Sequence, residues 1–149
     1  MTYRRLVRVS AGYDLVVTAA FVTPWTYELA RQALSALGLA LGLGAMPATD
    51  PTATTYANLM GSIVIVWAVL RLIDPHPVLG LYDGAARILF AGWEAYGATH
   101  GATGLLWGFF AVELVFGVAQ LAPWLSAQPP WPTRSFTARL RRNSRGSTP

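Results

Sequence analysis

Apolar residues run along this chain in long blocks, separated by proline, glycine and short polar clusters. The cleanest block covers residues 56–73, with Val, Ile, Leu and Trp67 in its body and Arg71 at its end. A helix of about 20 mostly apolar residues crosses the hydrocarbon core of a bilayer, so this block predicts a membrane span. Similar blocks predict spans over 9–24, 79–99 and 105–125. Asp74-Pro75-His76-Pro77 separates the second span from the third, because neither proline can continue a helical hydrogen-bond ladder. His100-Gly101-Ala102-Thr103-Gly104 makes a tight turn between the third and the fourth. Residues 45–55, with Pro47, Asp50, Pro51 and several threonines, read as a loop that ends at a helix start. The first block carries small residues, Thr18-Ala19-Ala20, at a signal-cleavage-like position, but Asp14 lies inside it. A signal peptide's core is uncharged, so a retained span is expected.

Residues 26–43 follow another period. At 100° per residue, Glu28, Arg31, Gln32, Ser35, Gly38 and Gly42 fall within an arc of roughly 120°, and Leu, Ala and Tyr fill the rest, with Leu39 intruding on the polar side. This predicts an amphipathic helix in the membrane interface or across one end of a bundle. The fold class expected is therefore all-α: an integral membrane four-helix bundle with an amphipathic interfacial helix between spans one and two.

Composition agrees with the pattern. Of 149 residues, 54% are hydrophobic and only 12% charged, about half the charged share of a soluble domain. A chain this short in water would leave much of that apolar surface wet. The absence of cysteine excludes disulfides, thiol redox chemistry, cysteine zinc sites and iron–sulfur clusters. His76 and His100, in a loop and a turn at opposite faces, do not form a bis-histidine haem site. No metal and no cofactor is expected, and no phosphate loop or nucleophile elbow is present.

Charge sets the orientation. All eleven basic residues are arginine. Arg4, Arg5 and Arg8 crowd one end, and a basic tail over 129–149 carries Arg134, Arg139, Arg141, Arg142 and Arg145 at the other. The loop near Arg71 joins them, whereas the Asp50 loop and the His100 turn carry no positive charge. The positive-inside rule then places both termini in the cytoplasm of a bacterium, with four spans in its inner membrane. A fifth span would send one Arg-rich terminus outside. The tail arginines are expected at the lipid interface, worth about 1 kcal/mol each near an anionic surface. Nucleic acid is not an expected partner, because no folded module accompanies the tail.

The candidate site is a set of charges inside the spans: Asp14, Arg71, Asp83, Arg87, Glu94 and Glu113. Each costs several kcal/mol in lipid unless paired, hydrated or neutralised. Asp83, Arg87 and Glu94 lie within about 40° on one face of the third span. Asp83 and Arg87, four apart, can pair along the helix. Counting outward from the Gly101 turn brings Arg87 level with Glu113 or Val115, and Glu94 level with Trp107 or Gly108. Asp14 and Arg71 can join the same cluster. Glu94, about 10 Å along the helix from Arg87, is the acid left without a guanidinium, and hence the candidate for a neutral or proton-exchanging carboxyl. A cluster that fixes helix register is the first reading of these charges; a ligand, ion or proton site is the second. Gly61, Ser62, Gly108 and Gly117 read as small residues that let helices approach closely. Tyr13-Asp14 recurs as Tyr82-Asp83 near the start of the third span, a faint echo that a repeat of two parallel helical hairpins would produce, although a match of two residues is read first as chance.

Four spans, a longer extracytoplasmic segment after the first, and a second span opening on Asn58-Leu59-Met60-Gly61 resemble the DoxX-like group of small bacterial membrane proteins. The resemblance covers residues 9–125 at the level of topology. It implies a four-helix bundle, in some members associated with quinone-linked redox complexes, and no functional residue is carried over. Three functions follow as expectations. The first is a non-enzymatic accessory or structural partner of a membrane assembly. The second is a small proton-coupled transporter acting as a homodimer, with Asp14 placed like the first-span acid of small multidrug-resistance proteins. The third is a membrane enzyme acting on a lipid or isoprenoid, with Glu94 and Glu113 as acid and base.

Overall fold

The computed structural model describes residues 2–126. Among them the chain is all-α, with helices α1 (Tyr3–Thr18), α2 (Pro24–Ala40), α3 (Pro51–Ile73), α4 (Pro77–Thr99) and α5 (Leu106–Leu125), and a short 3₁₀ turn, Ala19–Phe21, between α1 and α2. The tail with Arg134, Arg139, Arg141 and Arg142 lies outside the described residues.

Local chemistry sets the helix starts. Thr23 and Thr26 cap α2 reciprocally, Asp50 accepts from the amide of Ala53 at 2.7 Å to cap α3, and His76 accepts from the amide of Val78 at 3.3 Å to cap α4. In all three, proline occupies the first turn, where its missing N–H costs nothing and its fixed φ suits the helix. These caps place α2, α3 and α4 earlier than the apolar pattern does, because hydrophobicity marks the apolar body of a helix and not its capped start. Helix α1 also begins earlier, at Tyr3, and Arg4, Arg5 and Arg8 form exposed positions on its first two turns.

Helix α1 packs chiefly on α3, and α4 on α5; contacts of α1 with α4 and α5 join the two pairs. After the 3₁₀ turn the chain bends by 104°, and α2 runs from the first turns of α3 to the turn between α4 and α5. There Leu43 O accepts from Gly104 N at 2.8 Å, and Thr103 Oγ1 donates to Leu43 O and Gly44 O. Glycine is required at this joint: a Cβ on Gly38 would collide with Gly44 O, and Gly42 and Gly44 adopt φ of 69° and 84°. The polar and small face of α2 turns inward, with Gly38 buried and Arg31 and Ser35 half-buried, while Trp25, Leu29, Leu37 and Leu41 are exposed.

The same inversion holds throughout. The buried hydrophobic residues are small, Val7, Ala11, Ala68 and Ala91, whereas Ser10, Asp14, Arg71, Asp83, Arg87, Thr103, Glu113 and Gln120 are buried polar or charged groups. Large apolar side chains such as Val16, Ile63, Val66, Trp93 and Val115 point outward. By length and composition, α3 and α5 can cross a membrane, and a third crossing arises if α1, its 3₁₀ turn and α2 count as one bent span. This is fewer than the four blocks predicted. Helix α4 falls short because it carries Asp83, Arg87 and Glu94, and α1 because it is only 16 residues long and opens on three arginines.

Candidate functional site

The two helix pairs meet at a buried hub of charge. Its floor is set on α4 and α5, where Gly84 and Gly117 allow close approach: a Cβ on Gly117 would lie 3.5 Å from Gly84 O and 3.4 Å from Arg87 Cβ. One turn along, Arg87 Nη1 donates to Glu113 Oε2 at 2.8 Å, and Arg87 Nε reaches Asp83 Oδ2 at 3.2 Å within its own helix. Arg87 Nη2 crosses to α1, donating to Asp14 Oδ1 at 2.6 Å and to Ser10 Oγ at 2.9 Å. The second base arrives from α3. Arg71 Nη2 donates to Asp14 Oδ2 at 2.5 Å, Arg71 Nη1 pairs with Asp83 Oδ2 and contacts Ser10 Oγ at 3.2 Å, and Arg71 Nε donates to Trp67 O at 3.4 Å. Every guanidinium nitrogen of both arginines is engaged. The two side chains are 0% and 2% exposed, so neither charge relies on water.

Asp14 and Asp83 are the two bridges. Each binds both arginines, which gives the Tyr-Asp echo of the sequence a structural counterpart for its aspartates. The tyrosines differ: Tyr13 packs on Phe116 with ring centroids 5.6 Å apart, whereas Tyr82 is exposed.

Neutral groups complete the hub. Ser10 Oγ donates to Asp83 Oδ2 at 2.8 Å while Gln120 Nε2 donates to both, at 3.1 and 2.8 Å. Trp67 Nε1 donates to Asp83 Oδ1 at 3.1 Å. Arg71 and Arg87 also lie over the rings of Trp67 and Phe116, at 5.5 and 4.9 Å from the centroids, which adds cation–π attraction in a dry setting. Below Gln120, Tyr3 Oη donates to Gln120 O and accepts from Trp124 Nε1, both at 2.9 Å. Ser10, Trp67 and Gln120 are hub members that sequence reasoning misses. Two of them carry a signal: Ser10 lies four residues before Asp14, and Gln120 lies seven after Glu113, so each shares a helix face with a hub acid.

Of the six residues singled out in sequence, the structure brings together Asp14, Arg71, Asp83, Arg87 and Glu113. Glu94 stays outside; it forms no ion pair among the described residues, and its Oε2 is buried without a hydrogen-bond partner. Gly61 and Gly117 stand at close helix contacts, against Phe21 and against α4, but Gly108 and Ser62 face outward and correct that part of the packing expectation. A separate open groove of about 490 Å³ lies between the starts of α2 and α3, lined by Glu28, Asp50, Thr54, Thr55 and Asn58 among others. Both of its acids are already committed, Glu28 to Arg31 and Gln32 and Asp50 to its cap.

Chemically, the hub is a closed set of complementary partners. Three carboxylates answer two guanidiniums, and no nitrogen of either base stands unengaged towards a substrate. No protein-family model matches the chain, and no curated protein or solved structure is significantly similar to it.

Proposed function

We propose that this chain is a small multi-pass protein of the bacterial inner membrane, in which α1, α3, α4 and α5 cross the bilayer as a four-helix bundle and α2 lies at the interface. Its role in this reading is non-enzymatic, as an accessory or structural partner of a larger membrane assembly. One observation carries it: the interior holds ion pairs while the exterior holds large apolar side chains. In water that arrangement is unfavourable inside and outside alike. In hydrocarbon it is the arrangement expected, because charge must turn inward and apolar groups face lipid.

The charges that keep α1 and α4 from reading as apolar spans answer one another across the helix pairs, so they need not meet lipid. Helix α4, with 23 residues, is about 34 Å long at 1.5 Å per residue, enough for a core of about 30 Å. Arg4, Arg5 and Arg8 lie at the α1 start and Arg71 near the α3 end, on the side that the positive-inside rule assigns to the cytoplasm. The layout also fits the DoxX-like group, with α2 as the segment inserted after the first span. Two buried arginines with every nitrogen engaged by the chain itself support a structural role, and the outward apolar faces are free for lipid, a second copy or another membrane subunit.

Reporter fusions test the topology: both termini are expected in the cytoplasm, and a periplasmic C-terminus would mean that α2 crosses as well. Co-purification in mild detergent tests the role. A stable heterologous partner is the expected result. A homodimer alone would favour the proton-coupled transporter instead, and a co-purifying lipid product would favour the enzyme.

A further inference from the structure

Glu94 lies on the same face of α4 as Asp83 and Arg87, about 10 Å beyond Arg87 towards Thr99. It is half-buried, and its shielded Oε2 has no hydrogen-bond donor among the described residues. The charged and titratable groups within electrostatic reach are Arg87 on its own helix, Glu113 from α5 and Tyr13 from α1. Arg87 is already committed, since its three nitrogens serve Asp83, Glu113, Asp14 and Ser10. Glu113 is itself an acid, held by Arg87. Four interior acids (Asp14, Asp83, Glu94 and Glu113) thus face two interior bases (Arg71 and Arg87), and the geometry assigns both bases to the other three acids.

A shielded carboxylate oxygen with no donor is among the least tolerable placements of negative charge; a carboxylic acid at the same place needs no counter-ion. We propose that Glu94 is a proton-binding site: its carboxyl carries one proton, which removes the need for a counter-ion that no neighbouring side chain among the described residues supplies. Binding forms one O–H bond at Glu94 and release returns the proton to water, with no redox partner involved. The site lies beyond the hub, towards the α4–α5 turn, so protonation there need not break the hub's ion pairs. This goes further than a structural role, because it gives the bundle an exchangeable proton that a clamp alone does not need.

The test is infrared spectroscopy of the purified full chain at about neutral pH, which is independent of any partner or topology. The wild type is expected to show the C=O stretch of a protonated carboxylic acid that shifts on transfer to D2O, is indifferent to sodium, and disappears in Glu94→Gln. The thermal midpoint of Glu94→Gln should match the wild type, because a neutral acid and an amide are close in size. Absence of an exchangeable carboxylic band in the wild type overturns the proposal without any variant. So does a band that persists in Glu94→Gln, a band lost on adding sodium, or strong destabilisation by Glu94→Gln, which would mark Glu94 as ionised and paired.

Discussion

The hub between the helix pairs and the α2 cap across their end hold the molecule together in opposite ways. In the hub, charged side chains from α1, α3, α4 and α5 answer one another in a buried interior, and every guanidinium nitrogen is engaged within the chain, although Gln120 Oε1 is buried without a hydrogen-bond partner among the described residues. The cap uses few charged contacts to the body. It is fastened by backbone carbonyls of Leu43 and Gly44 and by the missing side chain of Gly38, and its apolar face points away from the described residues. Its own ion pair, Arg31 with Glu28 at 2.7 Å, is internal to α2. The hub's stability is therefore intrinsic to the chain, whereas the cap depends on one tight joint and on what surrounds it.

Arg87→Ala should break this comparison most severely. It leaves Glu113 without its ion-pair partner and strips one of two bases from Asp14 and Asp83. Removing one partner of a buried pair typically costs about 3–5 kcal/mol, so the thermal midpoint in detergent should fall sharply or the protein fail to accumulate. A midpoint equal to wild type would show that the hub carries no weight. Gly38→Val comes next, because its Cβ would collide with Gly44 O; overpacking of this kind costs about 1–3 kcal/mol. The loss should be local, read as faster hydrogen exchange at the Gly104 amide while amides near the hub keep their protection. Uniform loss at both places would mean that cap and hub form one cooperative unit.

Glu28→Gln should do least. Hydrogen bonds from Arg31 and then Gln32 hold the Glu28 carboxyl at about 2, well below the usual carboxylate range. A depressed value in the folded state stabilises above the unfolded value of about 4.3, and the contribution is lost as pH falls through about 2. Since the side chain is 42% exposed and screened by solvent, the variant should differ little from wild type at neutral pH, and any difference should vanish under strong acid. A difference that grew on acidification would contradict the pairing.

Much of the hub is legible in the order of residues alone, because charge in an apolar helix has few places to go. The length of the Gly101 turn sets which residues of α4 and α5 share a depth, which brings Arg87 level with Glu113 or Val115, and of these only the acid can pair with it. Helical spacing pairs Asp83 with Arg87 and leaves Glu94 out of reach. Ser10 and Gln120 carry only the signal of sharing a helix face with Asp14 and Glu113, which does not single them out, since neutral polar residues are tolerated on any helix face and their role depends on which helices meet. The cap is legible as an amphipathic helix. Its 104° departure from α1 and its fastening at Gly38 depend on contacts between residues far apart in sequence, which periodicity does not encode. Helix starts slip for another reason: Thr23, Asp50 and His76 with their following prolines begin helices in polar sequence.

The spacing of the hub along the chain also governs the timing of its assembly. Asp14 is synthesised 57 residues before Arg71 and 73 before Arg87, and Ser10 precedes Gln120 by 110. Contacts this distant in sequence form late, after their loop-closure entropy has been met. Until α5 emerges, Arg87 lacks Glu113 and Asp83 lacks Gln120, so a chain that stops early leaves hydrogen-bonding capacity in its helices unfilled. Emergence of α5 and completion of these contacts are thereby the same event, and a truncated product remains chemically distinguishable from a finished one to any protease that samples unfilled polar groups in helices.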